Sequence, residues 1–347
     1  MEKTTFISFP GLGIGEFRVN NVAFTLFGHN IMWYGIIITL GIVLAYFYVC
    51  YRAKHNENVR VDDVIDYAIY LVVFGIIGAR LYYVFTSFDS FKGKNLGETL
   101  YNIIAIWEGG LAIYGGIIAG GIALIIVSKI KKIKVGSALD MIAPAVMLGQ
   151  LIGRWGNFFN AEAYGEVTDL PWRMGLRDVS ESAATYVHPT FLYESLWNLL
   201  GFIIINLLYK RKKFNGQVFL MYISWYGFGR MFIEGLRTDS LYVGDFRISQ
   251  LVGFACFFIG SAMLIAMLIV THLRKKEAGE TALGESAVPA GASVGAEKAE
   301  EAEEPAEISA ESAPDVSEEK KDDTEESADI SFPLIMFATV CHSPSSL

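Results

Sequence analysis

Seven apolar stretches, about 20 residues long except for the shorter fourth one, restrict the folds that this 347-residue chain can adopt. An α-helix of that length crosses the hydrocarbon core of a bilayer and satisfies its own backbone hydrogen bonds there. The predicted spans are Ile31–Cys50, Val64–Phe85, Gly110–Val127, Ala138–Ile152, Thr190–Tyr209, Val218–Leu236 and Ile248–Val270. The sequence therefore predicts an all-α polytopic membrane protein with about seven transmembrane helices.

The net charge of −9 combines two unlike parts of the chain. Residues 1–276 carry 25 Lys and Arg against 19 Asp and Glu, whereas residues 277–347 carry 3 against 18. The acidic part is rich in Ala, Glu, Ser, Asp and Pro, a composition that buries too little apolar surface to fold. We therefore expect an N-terminal segment at 1–30, a seven-helix domain at 31–276 and a mostly disordered acidic tail at 277–347.

Positive charge in the loops predicts the orientation of the helices. The connections after the odd-numbered spans hold 14 Lys and Arg, and the alternate connections hold 9. Because basic loops stay in the cytoplasm, we expect the N-terminus outside and the C-terminus inside the cell. The long connections near Thr86–Gly109 and Gly153–Pro189 then lie outside and are expected to form small extracytoplasmic caps.

Sequence motifs of several common site types are absent. Cys50, Cys256 and Cys341 have no metal-like spacing, and no HExxH motif occurs in the sequence. We predict no disulfide framework, no metal, no cofactor and no nucleic-acid partner.

Polar residues gather in the outer half of the predicted bundle. They come from six segments: Tyr34, Arg80, Tyr114, Arg154, then His188 with Glu194, and Arg230 with Glu234. Single members have ordinary explanations: Arg230 and Glu234 are four apart and neutralise each other, Arg80 snorkels, and Tyr34 belongs to an aromatic belt. Independent structural charges should not gather at one depth, so their convergence predicts a functional site.

The stretch Gly153–Gly165, with the sequence GRWGNFFNAEAYG, is the densest part of this group. One arginine, two asparagines, one glutamate and three glycines follow an apolar run directly. Arginine matches the geometry of phosphate oxygens, and glycine lets a ligand approach the backbone. A phosphate held at this depth indicates a phospholipid headgroup as the ligand.

This stretch closely resembles the signature of the bacterial prolipoprotein diacylglyceryl transferases. Supporting segments are similar to that family too: Trp33-Tyr34-Gly35, Gly78-Ala79-Arg80, Trp107-Glu108-Gly109-Gly110, His188-Pro189, Tyr193-Glu194, and Arg230 with Phe232 and Glu234. The resemblance spans Ile31 to Val270 and excludes the acidic tail. It implies a multi-pass enzyme of the bacterial cell membrane that uses membrane lipid.

The resemblance also implies a reaction. Members of the family move the diacylglyceryl group of phosphatidylglycerol to the lipobox cysteine of preprolipoprotein signal peptides, forming a thioether and releasing glycerol 1-phosphate. It implies essential polar positions at Arg154, Asn157, Glu162, Gly165, Arg230 and Glu234, with Tyr34 alongside. Negative charge grows on the departing phosphate, which arginines stabilise.

We therefore expect Arg154 and Arg230 to hold the phosphate, and Glu162 and Glu234 to orient these arginines. The remaining predicted contacts to phosphatidylglycerol are Asn157, Asn160, Gly165, Tyr34 and Arg80.

Tyr114 departs from the pattern, because many relatives have a histidine there that is often proposed as the base for the thiol. Tyrosine, with a pKa near 10, is a poor base at neutral pH. Three options stay open: Tyr114 hydrogen-bonds the lipid, Glu194 or His188 accepts the proton, or the departing phosphate does. We favour a hydrogen-bonding role for Tyr114 among the catalytic residues.

Two other classes of function fit parts of the sequence. A transporter or channel for an anionic solute would use the same arginines, but its site is expected at the midplane between internal repeats. No convincing repeat is found, and the polar level lies off-centre. A lipid-binding scaffold that recruits partners through the acidic tail is the third option.

Overall fold

The computed structural model describes residues 2–240 and 242–285. Within these ranges the helices are α1 Trp33–Arg52, α2 Val61–Thr86, α3 Leu96–Ile104, α4 Ile113–Ile130, α5 Val135–Asn160, α6 Thr190–Tyr209, α7 Gln217–Ile233 and α8 Ile248–Glu285. A π-helical turn, Ala53–Glu57, extends α1. The mostly helical membrane architecture predicted from the sequence is confirmed.

In the part of the chain that the structure describes, six helices are long and apolar enough to cross a membrane. They are the helices at Trp33–Glu57, Val61–Thr86, Ile113–Ile130, Val135–Asn160, Thr190–Tyr209 and Ile248–Glu277. The remaining predicted span, Val218–Leu236, forms the 17-residue helix α7 and then a 3₁₀ turn at Glu234–Leu236. The count of seven spans is therefore approximate.

Helix α5 is the centre of the bundle, because it packs against α1, α4, α6 and α7. Helices α2 and α4 form a second close pair. There, a Cβ atom on Gly78 would lie 2.7 Å from the carbonyl oxygen of Gly115, so this approach requires glycine. The central place of α5 brings its C-terminal end next to both α6 and α7.

Buried charges fasten the bundle at the end opposite Arg154. Asp140 of α5 is fully buried and accepts hydrogen bonds from the backbone amides of Gly216 (2.9 Å) and Phe219 (3.0 Å), which caps the start of α7. Lys212 Nζ lies between Asp140 (3.0 Å) and Glu57 (2.5 Å). These contacts fix α7 lengthwise against α5 and the extension of α1.

An antiparallel sheet covers the bundle end that contains Arg154, and the sequence did not predict its strands. Its strands are β1 Thr4–Phe9, β2 Ile14–Asn20, β5 Met174–Asp178 and β6 Thr185–Val187, in the order β2-β1-β5-β6. Ile7, Met174 and Val187 form a buried core with Phe191 of α6, against which Phe158 of α5 packs. The N-terminal segment and the connection after α5 thus form one cap.

The smaller elements complete the same end of the bundle. They are the hairpins β3 Val22–Leu26 with β4 His29–Met32 and β7 Tyr242–Val243 with β8 Phe246–Arg247, and α3 in the connection after α2. Helix α8 continues past Lys276 to Glu285. The rest of the expected acidic tail, residues 286–347, lies outside the described residues.

Candidate active site

Three helices bring charged side chains together at one end of the bundle. Arg154 lies near the end of α5, Glu194 lies in the second turn of α6, and Arg230 lies in the last turn of α7. Arg154 Nη2 donates to Glu194 Oε1 (2.5 Å), and Arg230 Nη1 donates to Glu194 Oε2 (3.0 Å). The buried carboxylate of Glu194 therefore holds the two arginines side by side, one on each oxygen.

The contacts continue outward from both arginines. Arg230 Nη2 lies 2.6 Å from Glu234 Oε2, an ion pair outside hydrogen-bonding geometry because that oxygen has no hydrogen-bond partner. Arg154 Nη1 donates to Asn157 Oδ1 (3.3 Å), and Asn157 Nδ2 donates to Glu162 Oε1 (2.9 Å). A chain of six polar side chains thus links α5, α6 and α7, and we call it the arginine network. All six are residues that the sequence predicted for the site.

Both arginines of the network keep N–H donors that are available to a ligand. In the described ranges, Arg154 donates two of its five N–H groups, to Asn157 and Glu194. Arg230 donates one N–H group, to Glu194, and turns Nη2 to Glu234 in the ion pair. Each guanidinium therefore keeps at least three donors. Adjacent guanidinium groups with free donors can bind a phosphate through several charge-assisted hydrogen bonds.

A strained turn presents Glu162. Ala161 and Ala163, on either side of it, both have positive φ angles, 47° and 55°, which residues with a Cβ rarely adopt. The amide of Glu162 donates to the carbonyl of Asn157 (3.1 Å), and Thr190 Oγ1 donates to the carbonyl of Ala163 (2.5 Å). Strain of this kind persists where the surroundings hold it, often at functional sites.

Two glycines of the signature stretch serve close packing. A Cβ atom on Gly156 would lie 2.7 Å from Cδ2 of Tyr34, so the ring of Tyr34 rests on α5 next to Asn157. A Cβ atom on Gly165 would lie 2.7 Å from Cβ of His188 and 2.8 Å from the carbonyl oxygen of Leu236. Gly165 therefore lets the chain pass between the start of α6 and the turn after α7.

The comparisons with known proteins agree with this geometry. A profile of the prolipoprotein diacylglyceryl transferase family matches residues 21–266. This chain belongs to that family. It is 49% identical over 248 residues to the phosphatidylglycerol–prolipoprotein diacylglyceryl transferase of Finegoldia magna, covering 71% of this chain and 95% of the relative. The enzymes of that name from Enterococcus faecalis (42% over 268 residues; 75% and 92%) and Streptococcus pneumoniae serotype 4 (45% over 251; 71% and 91%) are also similar.

In this member of the diacylglyceryl transferase family, Arg80 contacts the protein backbone, whereas the sequence predicted a contact with the lipid. Its guanidinium donates to five backbone carbonyls and lies 4.8 Å from the ring centroid of Phe91. The carbonyls belong to Asn102, Ile103, Ala105, Gly109 and Gly110. Because these bonds occupy all five N–H groups, the geometry favours a structural role, in which Arg80 anchors the end of α3 and the segment after it to α2.

Tyr114 stands at the beginning of α4. Its hydroxyl lies 3.3 Å from Oγ of Ser249 on α8, a residue that the sequence reasoning did not single out. Among the described residues this is its only polar partner. The contact joins α4 to α8 and favours hydrogen bonding over proton transfer.

His188 and Asn160 lie beside the arginine network. His188 Nδ1 is 3.2 Å from the hydroxyl of Tyr193, which in turn accepts a hydrogen bond from Trp172 Nε1 (2.7 Å). His188 thus belongs to a separate hydrogen-bonded chain. Asn160 ends α5, and in the described part of the protein no side-chain hydrogen bond occupies its amide, which leaves it able to bind a ligand.

Two neighbours of the network, Tyr226 and Arg237, are not among the site residues that the sequence predicted. Tyr226 lies one turn before Arg230, and its phenol interacts electrostatically with Glu194, Arg230 and Arg154; the four-residue spacing to Arg230 would have indicated it. Arg237 is largely buried and donates to both oxygens of Asp239 (2.9 and 2.7 Å). Burial opposes the charge of Asp239, but these bonds hold its pKa below the ordinary value.

Proposed function

We propose that this protein transfers the diacylglyceryl group of phosphatidylglycerol to the lipobox cysteine of preprolipoproteins, forming a thioether and releasing glycerol 1-phosphate. The observation that carries the proposal is the pair of arginines held on Glu194 with free donors, in a chain whose relatives bear the name of this activity. The enzyme is a transferase with several membrane-spanning helices.

The arginine network suits the departure of a phosphate. The cysteine sulfur attacks the carbon of the diacylglyceryl group that carries the phosphate. The bond between this carbon and the phosphate ester oxygen breaks, and its electron pair stays on that oxygen. Arg154 and Arg230 are positioned before the reaction and stabilise the added charge, which is the strongest contribution a protein makes to such a step. Glu162 and Glu234, at the two ends of the network, restrict how these arginines turn.

Proton acceptance by the departing phosphate is the option that the contacts favour. Both oxygens of Glu194 already accept hydrogen bonds from the arginines, so a proton taken up there would displace one of these contacts. Tyr114 contacts Ser249, and His188 contacts Tyr193. A phosphate monoester has a second pKa near 6, and cations beside the cysteine lower the pKa of its thiol from about 8.5. The thiol proton then ends on glycerol 1-phosphate.

The proposed location is the bacterial cell membrane, with the N-terminus outside and the C-terminus in the cytoplasm. The 14 to 9 excess of basic residues on one set of loops supports this orientation. The site end of the bundle, covered by the N-terminal sheet, then lies on the outer side. Residues 31–276 form the proposed catalytic domain, and the family match at residues 21–266 covers most of this range.

A defined reconstitution tests the proposed function. Purified protein in phosphatidylglycerol vesicles is incubated with a lipobox peptide, and the mass of the peptide is measured by mass spectrometry. We expect a gain of one diacylglyceryl group, no gain in phosphatidylcholine vesicles, and no gain for a peptide with alanine at the cysteine. An unchanged peptide in phosphatidylglycerol vesicles, together with uptake of an anionic solute, would instead favour a transporter.

Gly165→Ala is expected to lower transfer about a hundredfold. The new methyl group meets His188 and the carbonyl of Leu236, both fixed by neighbouring backbone, so the segment after Glu162 must shift. Initial rates of peptide modification measure the loss. Gly121→Ala is the matched control, because a Cβ atom there has no neighbour within 4 Å. Equal rates for the two variants would show that the close packing at Gly165 does not matter to the site.

Tyr114→Phe is expected to keep transfer within about fivefold of the unmodified enzyme. The substitution removes one hydrogen bond to Ser249, worth about 1 kcal/mol. The check is the initial rate at pH 7, with bound phosphatidylglycerol measured in parallel. A loss above a hundredfold with lipid binding intact would restore a proton-transfer role for Tyr114.

A further inference from the structure

Trp197 of α6 and Trp225 of α7 form a reciprocal pair. The indole N–H of Trp197 donates to the backbone carbonyl of Trp225 (3.0 Å), and the indole N–H of Trp225 donates to the carbonyl of Trp197 (3.0 Å). The rings stack with centroids 4.3 Å apart and planes 14° apart. Because lipid offers helices little hydrophobic drive to associate, packing and hydrogen bonds of this kind set how two helices meet.

Two glycines shape the space for these rings. A Cβ atom on Gly201 would lie 2.8 Å from Cε2 of Trp225, and one on Gly229 would lie 2.9 Å from Cε2 of Trp197. Each helix thus supplies one indole and one glycine to the same contact. The pair accepts little sliding or rotation, because the indole plane is rigid and each ring faces backbone.

The pair lies close to the contact between Glu194 and Arg230. Trp197 follows Glu194 by three residues, so the two side chains are neighbours on α6. Gly229, which receives the ring of Trp197, directly precedes Arg230 on α7. A shift between α6 and α7 at the indoles therefore changes the 3.0 Å contact between Arg230 and Glu194.

We propose that Trp197 and Trp225 are positioning residues, which hold Arg230 on Glu194 at the spacing that phosphate departure requires. The inference rests on the proposed function. An error of about 1 Å in a reacting group can cost a hundredfold in rate. Neither indole needs to touch the substrate, so the pair acts through Arg230.

Three variants separate positioning from folding. Trp197→Phe and Trp225→Phe remove one N–H each and keep an aromatic ring, and Gly201→Ala pushes against the indole of Trp225. The folded fraction is measured by size-exclusion chromatography, and kcat and KM for phosphatidylglycerol are measured per folded enzyme. We expect kcat to fall about tenfold in each variant with KM within about twofold. Gly121→Ala, on α4, should change neither kcat nor KM, because a Cβ atom there has no neighbour within 4 Å.

A second readout needs no turnover. The rate at which phenylglyoxal modifies Arg230, followed by peptide mass spectrometry, is expected to rise several-fold in the Trp→Phe variants because the guanidinium is held less firmly. Unchanged kcat and unchanged Arg230 modification in folded variants would overturn the positioning role, as would a reduced folded fraction with kcat and KM intact. If the unmodified enzyme transfers nothing, the proposed function fails, and Arg230 modification still decides whether the indoles hold the arginine.

Discussion

Replacing Arg154 and Arg230 together with alanine is expected to lower diacylglyceryl transfer at least about a thousandfold. Removing a single preorganised donor to a developing anion costs about a hundredfold to a thousandfold, and this change removes two guanidinium groups. It also leaves Glu194 buried without either of its cations. The rate is measured as peptide mass gain in phosphatidylglycerol vesicles, normalised to folded protein.

Two controls make the arginine result specific. Arg18→Ala removes an exposed arginine from β2 and is expected to leave transfer unchanged. Arg154→Lys and Arg230→Lys keep the charge and lose the forked geometry, so each should lie between the double alanine variant and the unmodified enzyme. If the double alanine variant retained more than about a tenth of the activity, the phosphate would have to bind elsewhere.

The meeting of Arg154, Glu194 and Arg230 could be predicted because helices have few ways to run in a membrane. Antiparallel neighbours place the end of one helix beside the start of the next, so sequence position alone indicates depth. The contacts themselves depend on how α5, α6 and α7 rotate against one another. That rotation is set by distant features such as the indole pair and Asp140, which carry no short sequence pattern.

The sheet over the site shows where prediction from sequence ends. Thr5 of β1 pairs with Asp178 of β5, so strands that are far apart in the sequence meet in this sheet. The strands of this sheet are short, and they can be recognised only once their pairing is known. The contacts of Arg80 are hidden for a similar reason: three of its five acceptor carbonyls, in Ala105, Gly109 and Gly110, belong to the irregular segment after α3, and irregular backbone has no periodic signature.

Glu194→Gln is expected to lower kcat about a hundredfold without raising KM for phosphatidylglycerol. The glutamine amide offers one acceptor oxygen and turns an NH₂ group toward the other arginine, so one of the two guanidinium groups loses its fixed place. Glu194 also competes with a ligand for arginine donors, and its neutralisation leaves ground-state binding of the lipid phosphate equal or tighter. Steady-state kinetics with vesicles of graded phosphatidylglycerol content separate the two constants.

The pH dependence decides between positioning and proton acceptance by Glu194. If Glu194 were the general base, Glu194→Gln would remove its ionisation from the pH profile, and the acid limb of the kcat profile would disappear. A positioning carboxylate leaves the shape of the profile intact and lowers it at every pH, which is the result we expect. Glu194→Asp, one methylene shorter, cannot reach both arginines and should resemble Glu194→Gln. Recovery of activity in Glu194→Asp with a shifted acid limb would instead make Glu194 the proton acceptor, and the departing phosphate would lose that role.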